Sequence, residues 1–296
     1  MRIQLGDTVV TRVEDYHGPG FMPQEMFTNY EPGQWERERD WLVPRFYAPA
    51  TNQTNTSIHS WLVKTRHHTV LIDACIGNHK ERPSIARFHQ RNEPWLERLA
   101  AAGARPEEID FVMCTHLHAD HVGWNTQRMD GRWVPTFPNA RYLFTRAEFE
   151  RWDDRRLGFV PKPINQHVFA DSILPVLESG QMQLVDVGHT VDDALTVEAA
   201  HGHTVGHVKI RLASGGAQGM FTGDTIHHPL QLAYPHLQSV FDEAPAEALQ
   251  TRLDMLADCA ERGALLMPTH FADPHCCRIH GQVKYGRVGY RAEWGV

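Results

Sequence analysis

Cysteine is scarce in this chain, and what there is cannot brace a fold. Five cysteines stand among 296 residues, an odd number with no CxxC spacing. That excludes a disulfide framework and suggests a reducing compartment, the cytoplasm. The adjacent Cys276 and Cys277 read as two thiols in a loop. Long apolar runs are missing too: none approaches the 18 or so residues that a membrane-spanning helix needs. The N-terminal "MRIQLGDTVVTRVED" is charged and lacks the apolar segment of a secretory signal. There is no block of Lys and Arg. With 29 basic and 36 acidic residues the formal net charge is −7, which disfavours a nucleic-acid partner. No internal repeat and no low-complexity tract interrupts the chain.

What remains is ordinary bulk composition, 42% hydrophobic and 22% charged, in a chain long enough to bury a sizeable core. We read residues 1–296 as a single domain. Residues 2–15 alternate weakly, as a strand would. Residues 16–56 are rich in aromatics, studded with Pro and Gly, and without a period. They read as an irregular arm that forms a wall of the substrate pocket or a homodimer contact, or that packs on its own domain. Ser60–Lys64 and Thr69–Asp73 read as paired strands, and Ile109–Thr115 as a buried strand. "PWLERLAAAG" reads as a helix with Asn92 as its cap, Pro94 in its first turn and Gly103 as its stop. "RAEFERWDD" and "DSILPVLESG" read as further helices, the second with Pro175 inside. "MQLVDV", "LTVEAA", "HVKIRLA" and "QGMFTGD" read as strands. "PAEALQTRLDMLADCAERG" is a helix closed by Gly263, and "ALLMPTH" is a last short buried strand.

Histidine is abundant, at 20 residues, and its placement is not random. "CTHLHADHVGW" puts His116, His118, Asp120 and His121 within six residues, where a buried strand ends. "HLH" alone suits a solvated loop. Four such groups together demand a compensating cation, and neutral imidazole with carboxylate suits zinc. "AAHGHTVGH" adds His201, His203 and His207, "FTGDT" adds Asp224, and "LLMPTH" adds His270. The last two each end an apolar run. Asp224 by itself would be a turn aspartate, and His270 by itself a loop histidine; the repeated strand-end placement is what joins them.

This ordered set resembles the metallo-β-lactamase superfamily. "THLHADH" matches its HxHxDH motif, and "HGHTVGH", "FTGD" and "PTH" are similar to the segments that carry its later ligands. "LIDACIG" is similar to its early strand-turn, with Cys75 where Gly is frequent. The resemblance implies an αββα sandwich of two mixed sheets flanked by helices, with a dinuclear site of two Zn2+ at one edge. His116, His118 and His207 would hold one metal, and Asp120, His121 and His270 the other. Asp224 would bridge them, and His203 would orient the turn that delivers His207.

The implied chemistry is hydrolysis of an ester or lactone by a hydroxide shared between the metals, with Asp120 orienting it and carrying a proton to the leaving group. The length and the long N-terminal segment are similar to the lactonase and organophosphate-hydrolase-like branch. One departure concerns specificity: acyl-homoserine lactonases carry a tyrosine three residues after the bridging aspartate, and here His227 stands there, as a hydrogen-bond donor or a structural histidine. Arg278 is a second candidate for the pocket. A phosphotriesterase or β-lactam hydrolase of the same fold is the alternative. A mononuclear iron persulfide dioxygenase and a nuclease rank behind it, the nuclease because the chain is acidic. The expected partner is a small-molecule substrate, not nucleic acid or membrane.

Overall fold

The computed structural model describes residues 1–284 and 286–295. In chain order the elements are β1 (Arg2–Leu5), β2 (Thr8–Pro19), α1 (Pro23–Met26), α2 (Gly33–Leu42), β3 (Tyr47–Ala48), β4 (Gln53–Lys64), β5 (Thr69–Ile72), α3 (Trp95–Ala102) and β6 (Phe111–Met113). There follow β7 (Thr126–Met129), β8 (Arg132–Pro135), β9 (Arg141–Thr145), α4 (Arg146–Trp152), α5 (Leu174–Glu178) and β10 (Met182–Val185). The second half holds β11 (Thr190–Val191), β12 (Leu195–Ala199), β13 (Val208–Ser214), β14 (Ala217–Phe221), α6 (Leu230–Ala233), α7 (Pro245–Arg262), β15 (Leu265–Met267), β16 (Cys277–Lys284) and β17 (Arg287–Trp294).

Two mixed sheets form. The first runs β1-β2-β4-β5-β6-β9-β10 with β3 beside β4, and the second runs β11 to β17 in order of the remaining strands; β7 and β8 make a separate hairpin. Side chains alternate across each strand, and that alternation builds the layers. Val70, Ile72 and Met113 of the first sheet meet Phe221, Leu265 and Met267 of the second in one core between the sheets. Their neighbours Leu71 and Val112 point the other way, into a cluster with Trp95 and Leu99 of α3. Met220 and Leu266 point outward to Met255, Leu256 and Cys259 of α7. Helix, sheet, sheet and helix are therefore stacked, as the αββα expectation required. No helix among the described residues is long and apolar enough to cross a membrane.

Several local expectations change. Residues 2–15 are not one strand but the start of a hairpin, with Gly6 at φ +58° in its turn; a Cβ there would lie 1.9 Å from the Ser214 carbonyl oxygen. The helix at 95 begins after Pro94, which is its cap in place of Asn92, and it ends on left-handed Gly103. "DSILPVLESG" is divided: Pro175 lies in the first turn of α5, where its missing N–H costs nothing, and residues 169–173 form a wider turn before it. Cys277 opens β16, and all five cysteines are buried and free, so the adjacent pair is core rather than loop. Residues 16–56 are not irregular throughout. They finish β2, form α1, α2 and β3, and begin β4. Their aromatics pack against the segment after the second sheet's centre: Phe27, Trp35 and Phe46 share a cluster with Leu230, Tyr234 and Leu237.

Candidate metal centre

The strands deliver the site to one edge of the sandwich. β5 and β6 are parallel neighbours in one sheet, and β14 and β15 in the other. Residues just past their C-terminal ends therefore project together: Asp73, then His116–His121, then Asp224, then His270. The β12–β13 turn reaches the same edge. Gly202, at φ +119°, lets that turn pass α7, since a Cβ there would sit 2.1 Å from the Ala248 nitrogen.

Two groups of ligand atoms converge, each within 4.8 Å: His116, His118, His203 and Asp224, and separately Asp120, His121 and His270. In the first, His118 Nδ1 lies 3.0 Å from His116 Nε2 and 3.0 Å from His203 Nε2. The far sides of the two partners are committed: His203 Nδ1–H donates to Asp242 Oδ1 at 3.1 Å, and His116 Nδ1 is 3.1 Å from Thr115 Oγ. Their Nε2 atoms accordingly present lone pairs to one point, alongside Nδ1 of His118. Asp224 lies between the groups. Its Oδ1 is 3.2 Å from His121 Nε2 and 3.0 Å from His270 Nε2, and its Oδ2 is 3.4 Å from His203 Nε2. Asp120 is looser, with oxygens 3.8 Å from His121 Nε2 and 3.8 Å from His270 Nε2.

The electrostatics separate the two groups. Burial and neighbouring imidazoles hold His116 and His118 well below the ordinary histidine range, and burial takes His203 to about 3. These rings are neutral, as ligation requires. His121 and His270 are raised despite their burial, because Asp224 and Asp120 surround both. Asp224 is correspondingly held well down by His270, His121 and His227, against its own burial. His121 Nε2 and Asp224 Oδ1 are buried without a hydrogen-bond partner. Buried polar atoms left so are rare unless something else binds them. A donor set of imidazole and carboxylate, aimed inward and orphaned, fits two divalent cations of the borderline kind.

One expected ligand is replaced. His207 is not in either group. Its Nε2 accepts the backbone N–H of Asp224 at 2.9 Å, and its Nδ1–H donates to the Ala200 carbonyl at 3.0 Å. Both ring nitrogens are used up. His203, expected only to orient the turn, stands in the first group, and His207 is held between the Asp224 amide and the Ala200 carbonyl. Gly223, at φ +48°, permits this approach: a Cβ there would sit 2.6 Å from His207 Nε2.

Three further carboxylates serve the site, and of them only Asp73 lay in a motif, "LIDACIG". Asp73 accepts His121 Nδ1–H at 2.9 Å and the Thr115 N–H at 2.8 Å. Asp242 fixes His203 as described. Glu148, fully buried and raised by that burial, accepts from Leu117 N, Gly206 N, Thr204 Oγ and Trp152 Nε1, and so ties the His118 loop to the His203 turn. Carboxylates behind metal-binding imidazoles set their orientation and basicity. Asp73 had a legible signal, a carboxylate ending an apolar run; Asp242 and Glu148 had none.

A cavity opens over the cluster. Its floor includes His118, Asp120, Asp224, His227 and His270; its walls include Phe21, Met26, Ile58, Ile85, Phe88 and Phe241. Phe21 and Met26 belong to the N-terminal segment, so that segment supplies part of the wall. His227 is 3% exposed, with Nε2 3.3 Å from Asp224 Oδ2, and neither ring nitrogen has a hydrogen-bond partner. Arg278 is elsewhere. It lies on β16 and donates to the Gly263 carbonyl at the end of α7, because β16 runs away from the metal edge along the outer part of the sheet. His275 likewise turns from the cavity toward His59, ring to ring at 5.3 Å.

The family model of the metallo-beta-lactamase superfamily matches residues 54–270. The chain belongs to this superfamily. That span runs from β4, beside the cavity, to His270, and contains every residue of the two ligand groups. The architecture and its buried His/Asp cluster are those of the superfamily's metal-dependent hydrolases. Among solved structures, the chain is similar to hydrolase AbOPH of the beta lactamase superfamily, with TM-score 0.78, 26% identity, and 98% of this chain and 95% of that one covered. It is similar in fold to AidC, a dizinc quorum-quenching lactonase solved with a product, with TM-score 0.80, 20% identity, and 100% and 98% covered. It is also similar in fold to a probable metal-dependent hydrolase from Staphylococcus aureus, with TM-score 0.75, 18% identity, and 99% and 100% covered. No curated protein sequence matches the chain significantly.

Proposed function

We propose that this metallo-β-lactamase-fold protein is a dinuclear zinc hydrolase that cleaves a small carboxylic ester or lactone. The observation that carries the reading is the bridging position of Asp224, one oxygen toward each ligand group, at the floor of a mostly apolar cavity. His116, His118 and His203 would hold one ion, and Asp120, His121 and His270 the other. The ions supply Lewis acidity toward a carbonyl oxygen and bring the pKa of water near neutrality.

The chain's own groups account for the rest. Apolar walls take the acyl or alcohol portion and keep bulk water away from the reacting carbonyl. His227, on the cavity floor with neither ring nitrogen hydrogen-bonded, is placed to donate an N–H to the substrate carbonyl, the task the resemblance gives to a tyrosine in acyl-homoserine lactonases. In ester hydrolysis water oxygen joins the acyl carbon, the C–O bond breaks, and the departing alkoxide needs a proton. Asp120 reaches the cavity and is positioned to pass that proton on. AidC, which shares the fold, is a lactonase, and a lactone is accordingly among the substrates this reading favours.

The test is a hydrolysis screen of zinc-loaded protein over lactones, aryl esters, phosphotriesters and a β-lactam, with metal analysis of the same preparation. Turnover of lactones or aryl esters with two ions per chain is the expected result. Turnover confined to phosphotriesters or the β-lactam replaces the substrate assignment, and one ion per chain removes the dinuclear site.

A further inference from the structure

Arg87 is the one arginine among the residues lining the cavity over the metal centre. It is half-buried, and no carboxylate pairs with it among the described residues. Its Nε is buried without a hydrogen-bond partner. The guanidinium carbon lies 4.0 Å from the centroid of the Phe21 ring, and 5.3 Å from that of Phe88. Burial lowers its pKa, and Asp120 and Glu25 act against that. The aromatic contacts hold the guanidinium plane without occupying its N–H donors, which lie in its edge. Phe21 itself is held by Phe241 across the cavity, with ring centroids 5.1 Å apart.

Such a group is costly to leave as it is. A partly desolvated cation with a buried, unmet donor gains when a partner arrives. Arg12, Arg82 and Arg211 show the contrast: each has a carboxylate within 3 Å. Around Arg87 the cavity is otherwise apolar on its walls and acidic only on its floor, where Asp120 and Asp224 are committed to the metal centre. The guanidinium, with its Nε unmet, thus stands among the groups lining the cavity, within reach of a bound molecule's far end.

We propose that Arg87 anchors an anionic group of the substrate, a carboxylate carried at the end remote from the scissile carbonyl, so that the ester or lactone hydrolysed is an acidic one. A carboxylate suits the guanidinium fork, which binds its two oxygens together. The apolar walls take the carbon chain between that end and the ester. Arg87 is in this sense a specificity residue, with no part in bond breaking. The proposal deepens the hydrolase reading and rests on it for the orientation of the substrate.

The experiment uses binding, so that it does not depend on turnover. Two unreactive ketones of equal length serve as probes: 5-oxo-5-phenylpentanoate, which ends in a carboxylate, and 1-phenylpentan-1-one, which ends in a methyl. Their dissociation constants are measured by calorimetry on the zinc-loaded protein and on the Arg87→Met and Arg87→Lys variants. Melting temperature and metal content are recorded for each. The wild type is expected to favour the acid by about tenfold to a hundredfold, the range of one charge-assisted hydrogen-bonded contact. Arg87→Met should abolish the preference without changing affinity for the neutral ketone, and Arg87→Lys should keep part of it. If wild type shows no preference, the proposal fails. If Arg87→Met keeps the preference, the carboxylate is binding at the metals and the proposal also fails. An equal loss for both probes makes Arg87 a clamp for Phe21 only and overturns it likewise. Should Arg87→Met not fold, wild type against Arg87→Lys decides, an unchanged preference ratio counting against the anchor's fork. A screen that finds no ester or lactone turned over, while the binding preference stands, would sink the ester or lactone reading and leave the anion site.

Discussion

His207 Nε2 accepts the backbone N–H of Asp224 at 2.9 Å. This single bond decides the roles of two histidines four residues apart. A ring whose Nε2 lone pair is spent on an amide, and whose Nδ1–H is spent on a carbonyl, has nothing left for a metal. His203 has one face held by Asp242 and the other turned inward, the arrangement of a ligand.

Replacing His203 and His207 in turn separates the roles. His203→Ala should lower the zinc content from two ions per chain to one. His207→Ala should keep two ions at saturating zinc and lose roughly 1–3 kcal/mol of stability, the cost of stranding a buried amide. Elemental analysis and thermal denaturation of both variants check this. Full metal content in His203→Ala would return the ligand role to His207.

Asp120→Asn keeps size and removes charge. We expect kcat to fall by at least roughly 10²-fold, the scale of a lost acid–base group, in protein whose circular dichroism and melting are unchanged. Rates near wild type in the metal-loaded variant would leave the proton-carrying role without support.

His227→Phe preserves a flat ring and removes the donor. The expected effect is a loss of kcat/KM worth roughly 1–3 kcal/mol, with zinc content unaltered. A structural histidine predicts the opposite pattern, a lower melting temperature with unchanged kcat/KM. Neither nitrogen of His227 has a hydrogen-bond partner, which is why the kinetic outcome is expected.

His228 sets a pH dependence away from the metals. Its Nε2–H donates to the Phe46 carbonyl at 2.9 Å, and its Nδ1 accepts the Leu230 N–H at 3.1 Å. The second bond requires the neutral ring, while the first survives protonation, and burial lowers the pKa from 6.5 to about 4. The unfolded chain takes up a proton near 6.5 and the folded one does not until near 4. Stability is therefore intact above pH 6.5 and declines as pH falls toward 4, by roughly 3 kcal/mol for this residue. Urea denaturation of wild type and His228→Gln across pH 4–7 should show the wild type losing more over that window. Parallel curves would show that another group carries the acid sensitivity.

The sequence alone determined the metal chemistry to a large extent. His116, His118, Asp120 and His121 crowd the end of one apolar run, and Asp224 and His270 each end another. A strand end is where a polar side chain can leave the core, so these positions are readable from hydrophobic pattern alone. The layered fold followed from the same runs, and α7 from its helical spacing and Gly263. Tertiary structure decided what depends on partners distant in sequence. Whether His203 or His207 ligates turns on which lone pair meets the Asp224 amide and which ring meets Asp242. Asp73 and Asp242 are ordinary acids until the fold sets them behind imidazoles, and Glu148 until it ties the His118 loop to the His203 turn. Arg87 and Phe21 are separated by 66 residues of chain numbering (87 − 21) and meet only because the N-terminal segment closes over the cavity. Periodicity reports which side chains are buried; it carries no record of which hydrogen-bond partner a buried group finds, because that partner is chosen by packing across the two sheets.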